Sequence, residues 1–294
     1  MRVLIPTDGS PDAQTAVQTA LRLLGSEDRH IDLFCVAPAF PHSGGRRGYE
    51  KRILAETNEI LAKARALIGN EAALVQTITA IGSPAFQIVD RAGDYDLTVI
   101  GPKGVGAGQN VALGPVASRV VEHALAPILI ARELRSESGL RVLIAADGSG
   151  ASLDAVGTLA RLFDLRGSEI TVMHVSETPW IHLGLDQEWD NYPDEEKDRT
   201  EAGVLEKEMT REAAVIVEEL RKKLRPSGAS VETAIDEGNP ADALLSEAER
   251  GQYDLLVVGA SGTRDLKHSM LGSVSAKLAW NAPCSVLIVR EPAQ

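Results

Sequence analysis

The chain's 294 residues are 44% apolar, enough to form one large domain or two of ordinary size. With 30 Lys and Arg against 42 Asp and Glu it carries a net charge of −12, which argues against nucleic acid and anionic membranes as partners. No apolar run approaches the roughly 18 residues that membrane insertion needs, no export signal is visible in "MRVLIPTDGS", and Cys35 and Cys284 have neither metal-ligand nor disulfide-framework spacing. A reducing cytoplasm is the expected compartment.

In chain order, the pattern predicts a strand at Val3–Pro6, a helix over Pro11–Leu24 and a strand at Ile31–Val36. After a Pro/Gly loop come a helix over Tyr49–Ile68, a strand at Leu74–Ala80 and a helix over Pro84–Ala92. Strand Leu97–Ile100, a glycine loop, helix Pro115–His123 and strand Ile128–Ala131 complete the unit. Ser10 before Pro11 and Ser83 before Pro84 are N-cap and first-turn pairs that start helices.

The short polar join "ELRSESG" (Glu133–Gly139) follows, and then the unit begins again. "VLIPTDGSPDAQTAVQTALRLL" meets "VLIAADGSGASLDAVGTLARLF", "IDLFCVA" meets "ITVMHVS", and Tyr95–Arg132 meets Tyr253–Arg290 without a gap. A repeat this long is a duplicated domain, giving expected domains at 1–135 and 140–294. Continuous apolar strands alternating with helices indicate burial on both faces. The expected fold is therefore α/β: two tandem, doubly wound, parallel five-stranded sheets flanked by helices. Right-handed crossovers then gather the loops after the strands along one ligand-binding edge.

The copies differ most at Ser176–Arg199, where the second adds about nineteen residues that include Trp180, Trp189 and Tyr192 among many acids. This segment reads as a surface loop packing its own aromatics, or else as a lid or partner-binding arm. It feeds a helix with Leu205, Met209, Ala213, Ile216, Leu220 and Leu224 on one face.

The fourth strand of the second copy runs into Gly259–Ser275, spaced G-x2-G-x9-G-S-x-S. Gly259 permits a sharp turn and Gly262 close backbone approach. Gly272 precedes a helix whose first N–H groups attract anions, and Ser273 and Ser275 add hydroxyl donors. A plain helix cap is the simpler reading of that loop alone. It has no Gly-Lys-Ser/Thr, and it follows a fourth strand where the dinucleotide fingerprint follows a first. Asp147 ends the first strand and Val175 the second, so both belong to the same edge. Asp147 there can accept from a ribose hydroxyl or help hold a phosphate-bound Mg²⁺, or can simply cap the next helix. Small Ala145 and Ala146 leave room for a flat base.

The landmarks "IAADGS", "MHVS", "GNPA", "YDLLVVGASG", "LGSVSAKLA" and "APCSVLIVR" stand in an order that resembles the universal stress protein family. The resemblance covers both halves, as in a tandem universal stress protein. It implies a small α/β domain that often binds ATP, dimerises through its last strand and acts in stress or dormancy. Carried over by position, it puts adenine beside Ala145, Ala146, Asp147, Val175 and Val258. Ribose and phosphates lie against Gly259, Ser261, Gly262, Gly272, Ser273, Val274 and Ser275. Ser261 stands where many nucleotide-binding members have histidine or another larger polar residue.

The implied ligand is an adenine nucleotide, ATP with Mg²⁺, held mainly by the second domain of a regulatory binding module with an unidentified regulatory protein partner. A slow ATPase and a non-nucleotide small-molecule carrier or structural stress factor are the alternatives. The last strands imply a homodimer or, in a tandem chain, pairing of the two halves.

The first copy keeps Thr7, Asp8, Val36, Gly101 and Gly104 but has Pro115 and Ala117 at the positions of Ser273 and Ser275. At least three donors are lost, and at roughly 0.5–1.5 kcal/mol each the first site is weakened by a few kcal/mol. His174 and His268 have no partner at metal-ligand spacing and read as packed or solvated histidines. No Ser/His/Asp relay, catalytic base or phosphate-clamping lysine is visible, so no catalytic residue is assigned.

Overall fold

The structure is a computed structural model describing residues 1–24, 29–39, 46–69, 75–106, 112–136, 139–177, 201–262 and 271–290. The first unit runs β1 (Arg2–Pro6), α1 (Pro11–Leu23), β2 (His30–Ala37), α2 (Arg46–Leu67), β3 (Val75–Ile81), α3 (Pro84–Ala92), β4 (Leu97–Ile100), α4 (Pro115–His123) and β5 (Ile128–Ile130). The second runs β6 (Arg141–Ala145), α5 (Gly150–Leu162), β7 (Glu169–Ser176), α6 (Glu201–Leu224), β8 (Ser230–Glu237), α7 (Pro240–Arg250), β9 (Leu255–Gly259), α8 (Ser273–Asn281) and β10 (Ser285–Val289). Most of the long insertion in the second copy, with its aromatic residues, lies outside the described residues, as does His268.

Helix starts follow local chemistry. Ser10 and Ser149 accept from the N–H three residues on, at the starts of α1 and α5, and Asn239 does the same for α7. Ser83 precedes α3 in extended conformation without a side-chain bond.

The strands form one ten-stranded sheet in the order β3-β2-β1-β4-β5-β10-β9-β6-β7-β8. Each half is parallel, and the halves join where β5 pairs antiparallel with β10, Ile128 opposite Ile288 and Ile130 opposite Val286. Of the two arrangements expected for the last strands, the chain adopts the intramolecular one. Each last strand is thereby flanked on both sides, and β3 and β8 end the sheet.

Strand residues alternate between two cores. Val3, Val142 and Val257 face α1, α2, α5 and α6, packing with Leu23, Leu61, Leu159 and Leu220. Leu4, Leu143 and Val286 face α3, α4, α7 and α8, packing with Ile88, Val120, Leu244 and Leu278. Both cores draw on both halves, so the unit of burial is the whole chain. Where α1 and α5 end, Asp164 N–H donates to the Leu23 carbonyl across the join (3.2 Å).

Buried polar groups fasten the seam. The Arg132 guanidinium donates to the Cys284 carbonyl (2.9 Å), and Arg290, its counterpart, donates to the Val121 and Glu122 carbonyls at the end of α4 (2.7 and 3.1 Å). The linker is held by Asp254, which has no exposed surface. Its carboxylate accepts from Arg135 N (2.7 Å), Ser136 N (3.0 Å), Ser136 Oγ (2.5 Å) and Arg141 N (2.9 Å).

Both cysteines are free and buried. Burial, then the Asp8 charge, pushes the Cys35 thiol up to about 11 against a hydrogen bond with Thr57. Burial pushes Cys284 up to about 11 against the nearby Arg132 and Arg135. Because the thiolate is the nucleophile, neither is expected to react with iodoacetamide in the native protein at about pH 8, and both should react in urea. Intact-mass measurement counts the adducts; rapid labelling without denaturant would contradict the packing.

Candidate functional site

At the C-terminal ends of β6, β7 and β9, walled by α6, α7 and the start of α8, lies a cavity of about 490 Å³. The parallel strands all end at this edge, and the chain crosses there between helices on opposite faces. The structure brings all twelve sequence-predicted residues around it. Ala145, Ala146 and Asp147 come from the end of β6, and Val175 from β7. Val258, Gly259, Ser261 and Gly262 come from β9 and its exit, and Gly272, Ser273, Val274 and Ser275 from the start of α8.

The glycines have separate steric reasons. A Cβ on Gly259 would sit 2.8 Å from the Ala151 Cβ and 2.9 Å from its carbonyl carbon, so Gly259 lets α5 pack onto the strand. That differs from the sharp turn expected of it. A Cβ on Gly262 would lie 2.8 Å from Asp147 Oδ2, so this glycine is what admits the carboxylate. Gly148, at φ +78°, takes a left-handed turn, and a Cβ there would strike the Ile216 side chain at 2.8 Å.

Asp147 is not the cap of α5. Ser149 is, and Asp147 Oδ1 braces it by accepting from Ser149 N (3.0 Å) and Oγ (2.6 Å). Gly272 N–H donates to the Ala260 carbonyl (2.7 Å), which ties the start of α8 to the exit of β9. The first helical bond of α8 runs from Ala276 N–H to the Gly272 carbonyl, so the N–H groups of Ser273, Val274 and Ser275 precede the helical ladder. They give this wall of the cavity the positive end of a helix dipole. Ser275 is buried and donates its hydroxyl to the Gly259 carbonyl (2.6 Å), so its proton ties α8 to β9.

Ten further described residues line the wall. Met173, Leu244 and Pro240 make one side apolar, and Met209, Glu212 and Ile216 of α6 form another. His174 also lines it, its Nδ1 lying 2.6 Å from the Ala146 carbonyl. The carboxylates of the described lining are Asp147, Glu177 and Glu212; it includes no Lys or Arg. Among the described residues no three His, Cys, Asp or Glu side chains come together as a metal site.

A model of the universal stress protein family matches residues 1–132 and 140–290. The chain belongs to the universal stress protein family. It is 26% identical to a universal stress protein of Mycolicibacterium smegmatis, covering 98% of this chain and 96% of the relative. A universal stress protein of Mycobacterium tuberculosis is 24% identical over the same shares, 98% and 96%. Among solved structures, a universal stress protein from Archaeoglobus fulgidus superposes with a TM-score of 0.67 at 19% identity, covering 98% of each chain. That last likeness speaks for the fold.

The two universal stress domains differ at this edge. In the first, Pro6 and Thr7 replace Ala145 and Ala146, and fully buried Phe34 replaces Met173. Asp8 Oδ2 accepts from Val105 N–H (2.7 Å), drawing the loop after β4 onto the carboxylate. Pro115 opens α4 with no N–H, and Gly114 N–H donates to the Pro102 carbonyl (2.8 Å) as Gly272 does to Ala260. The bond between the strand exit and the helix start thus persists with the polar groups removed.

Proposed function

We propose that this universal stress protein binds ATP in the cavity of its second domain and acts as a nucleotide-dependent regulatory module, with the first domain as its structural partner. The observation that carries the reading is the convergence of all twelve motif residues on one cavity with the α8 N-terminus in its wall. Its volume of about 490 Å³ lies inside the range of small-molecule sites.

The residues present fit the group. Ala145, Ala146, Val175 and Val258 supply small and apolar surface for a base, and Asp147 accepts from hydroxyls. The N–H groups at Ser273 and Val274, with the Ser273 hydroxyl, suit phosphate oxygens. A bound nucleotide would supply a polyanion with its Mg²⁺, for which Asp147, Glu177 and Glu212 are the carboxylates of the described lining. Regulation then requires only that ATP bind one conformation of the chain better than another.

Mass spectrometry of small molecules released from the purified full-length protein, followed by calorimetric titration with ATP, tests this directly. One adenine nucleotide per chain is expected. A chain that neither retains nor binds any adenine nucleotide refutes the reading. Steady phosphate release abolished by Asp147→Asn would move it to the ATPase alternative.

A further inference from the structure

The duplication supplies an internal control for the cavity's polar wall. Along β7, "MHVSE" (Met173–Glu177) stands where β2 and its exit have "FCVAP" (Phe34–Pro38). His174, Ser176 and Glu177 line the cavity, and their counterparts are Cys35, Ala37 and Pro38. These changes fall together with the loss of Ser273 and Ser275 to Pro115 and Ala117. Both copies keep the Asp and the loop glycines, so those serve the fold as well as any ligand. The polar residues present only in the second copy are the better guide to what is bound.

Of these, His174 has one ring nitrogen with a defined role. The Ala146 carbonyl can only accept, so the 2.6 Å contact requires that Nδ1 carry the hydrogen. In the neutral ring Nε2 is then an acceptor, and it is the ring's remaining polar atom. Ala146 itself is fixed on its other side, its N–H donating to the Met173 carbonyl (2.9 Å). The ring is therefore held at a position that cannot swing with a flexible loop. β7 lies across β6 from β9, so His174 is separated by a full strand from the phosphate-suited end at α8. A lone pair also suits a donor and repels a phosphate oxygen.

We infer that His174 is a ligand-contact residue whose Nε2 accepts a hydrogen bond from the nucleoside part of the nucleotide, either a ribose hydroxyl or the exocyclic amine of the base. This rests on the nucleotide reading of the cavity. The first domain has Cys35 at this position, buried and with a sulfur that accepts hydrogen bonds only weakly.

The test is calorimetric titration of the full-length protein with ATP, 2′-deoxy-ATP, 3′-deoxy-ATP and inosine triphosphate, in wild type, His174→Phe and His174→Asn. Asparagine keeps an N–H for the Ala146 carbonyl but has no atom in place of Nε2; thermal melting checks that both variants fold. The loss of one hydrogen bond should weaken ATP about tenfold in each variant. One analogue should bind wild type about tenfold more weakly than ATP, yet bind His174→Phe as ATP does; that analogue identifies the donor. Unchanged ATP affinity in the variants overturns the inference, as does wild type binding all three analogues like ATP. Full affinity restored by asparagine also overturns it, reducing His174 to a prop for Ala146. Wild type binding no adenine nucleotide defeats the underlying reading as well.

Discussion

Replacing Asp254 by alanine is expected to lower folding stability by about 3 kcal/mol, because it strands several donors in a buried place at once. The linker donates three hydrogen bonds to this carboxylate and β6 a fourth. Burial alone would raise its pKa, but the hydrogen bonds from Arg141, Ser136 and Arg135 outweigh it and hold the carboxyl below the usual carboxylate range. A group depressed in the folded state stabilises above its unfolded value, about 3.9 for aspartate, and that contribution is lost as pH falls through the folded value. Urea denaturation of wild type and Asp254→Ala should thus show a wide gap at neutral pH that narrows below about pH 4. Equal stabilities at neutral pH would mean that the linker does not depend on this clamp.

Ser273→Pro is expected to weaken ATP by about 30- to 100-fold while leaving the fold intact. Proline at the first position of a helix costs little, because that N–H has no helical acceptor. Domain one already carries Pro115 at this position and builds α4 of the same length as α8. The substitution removes one N–H and one hydroxyl from the wall suited to phosphate. Ser275→Ala should behave differently: its hydroxyl already serves the Gly259 carbonyl, so the expected loss is about 1 kcal/mol of stability with a smaller effect on ATP. Calorimetry and thermal melts of the two variants separate these outcomes. If Ser275→Ala were the more damaging to binding, the roles assigned to the two hydroxyls would be reversed.

Much of the fold was legible because parallel strands buried on both faces are continuous apolar runs, and because the repeat presents each one twice. Helix starts were legible where serine precedes proline; α2 begins at Arg46, ahead of the expected Tyr49. The motif residues were legible as a set because the loops after parallel strands share an edge. What a linear reading missed were partners chosen in three dimensions. His174 reads as a packed or solvated histidine, and no local pattern announces its partner, a backbone carbonyl 28 residues away. Ser275 looked like a ligand donor because nothing in its neighbourhood announces the Gly259 carbonyl as its acceptor. Asp254 follows Tyr253 at the end of a helix-to-strand turn, and only the folded linker shows what it holds. The periodicity of α6 marks only one apolar face, and nothing in it separates Met209 and Ile216, which line the cavity, from Leu220 and Leu224 in the core.

The antiparallel join of β5 and β10 has a bearing on how such a chain changes over time. Where two identical subunits meet about a twofold axis, each substitution appears on both sides of the interface and in both sites. Here one gene encodes both sides separately, so each can change alone. Arg132 and Arg290 occupy equivalent places yet grip different carbonyls, and one edge can give up its polar groups while the other retains them. Covalent linkage thus releases the pair from enforced symmetry, leaving one half free to specialise as scaffold while the other keeps the cavity.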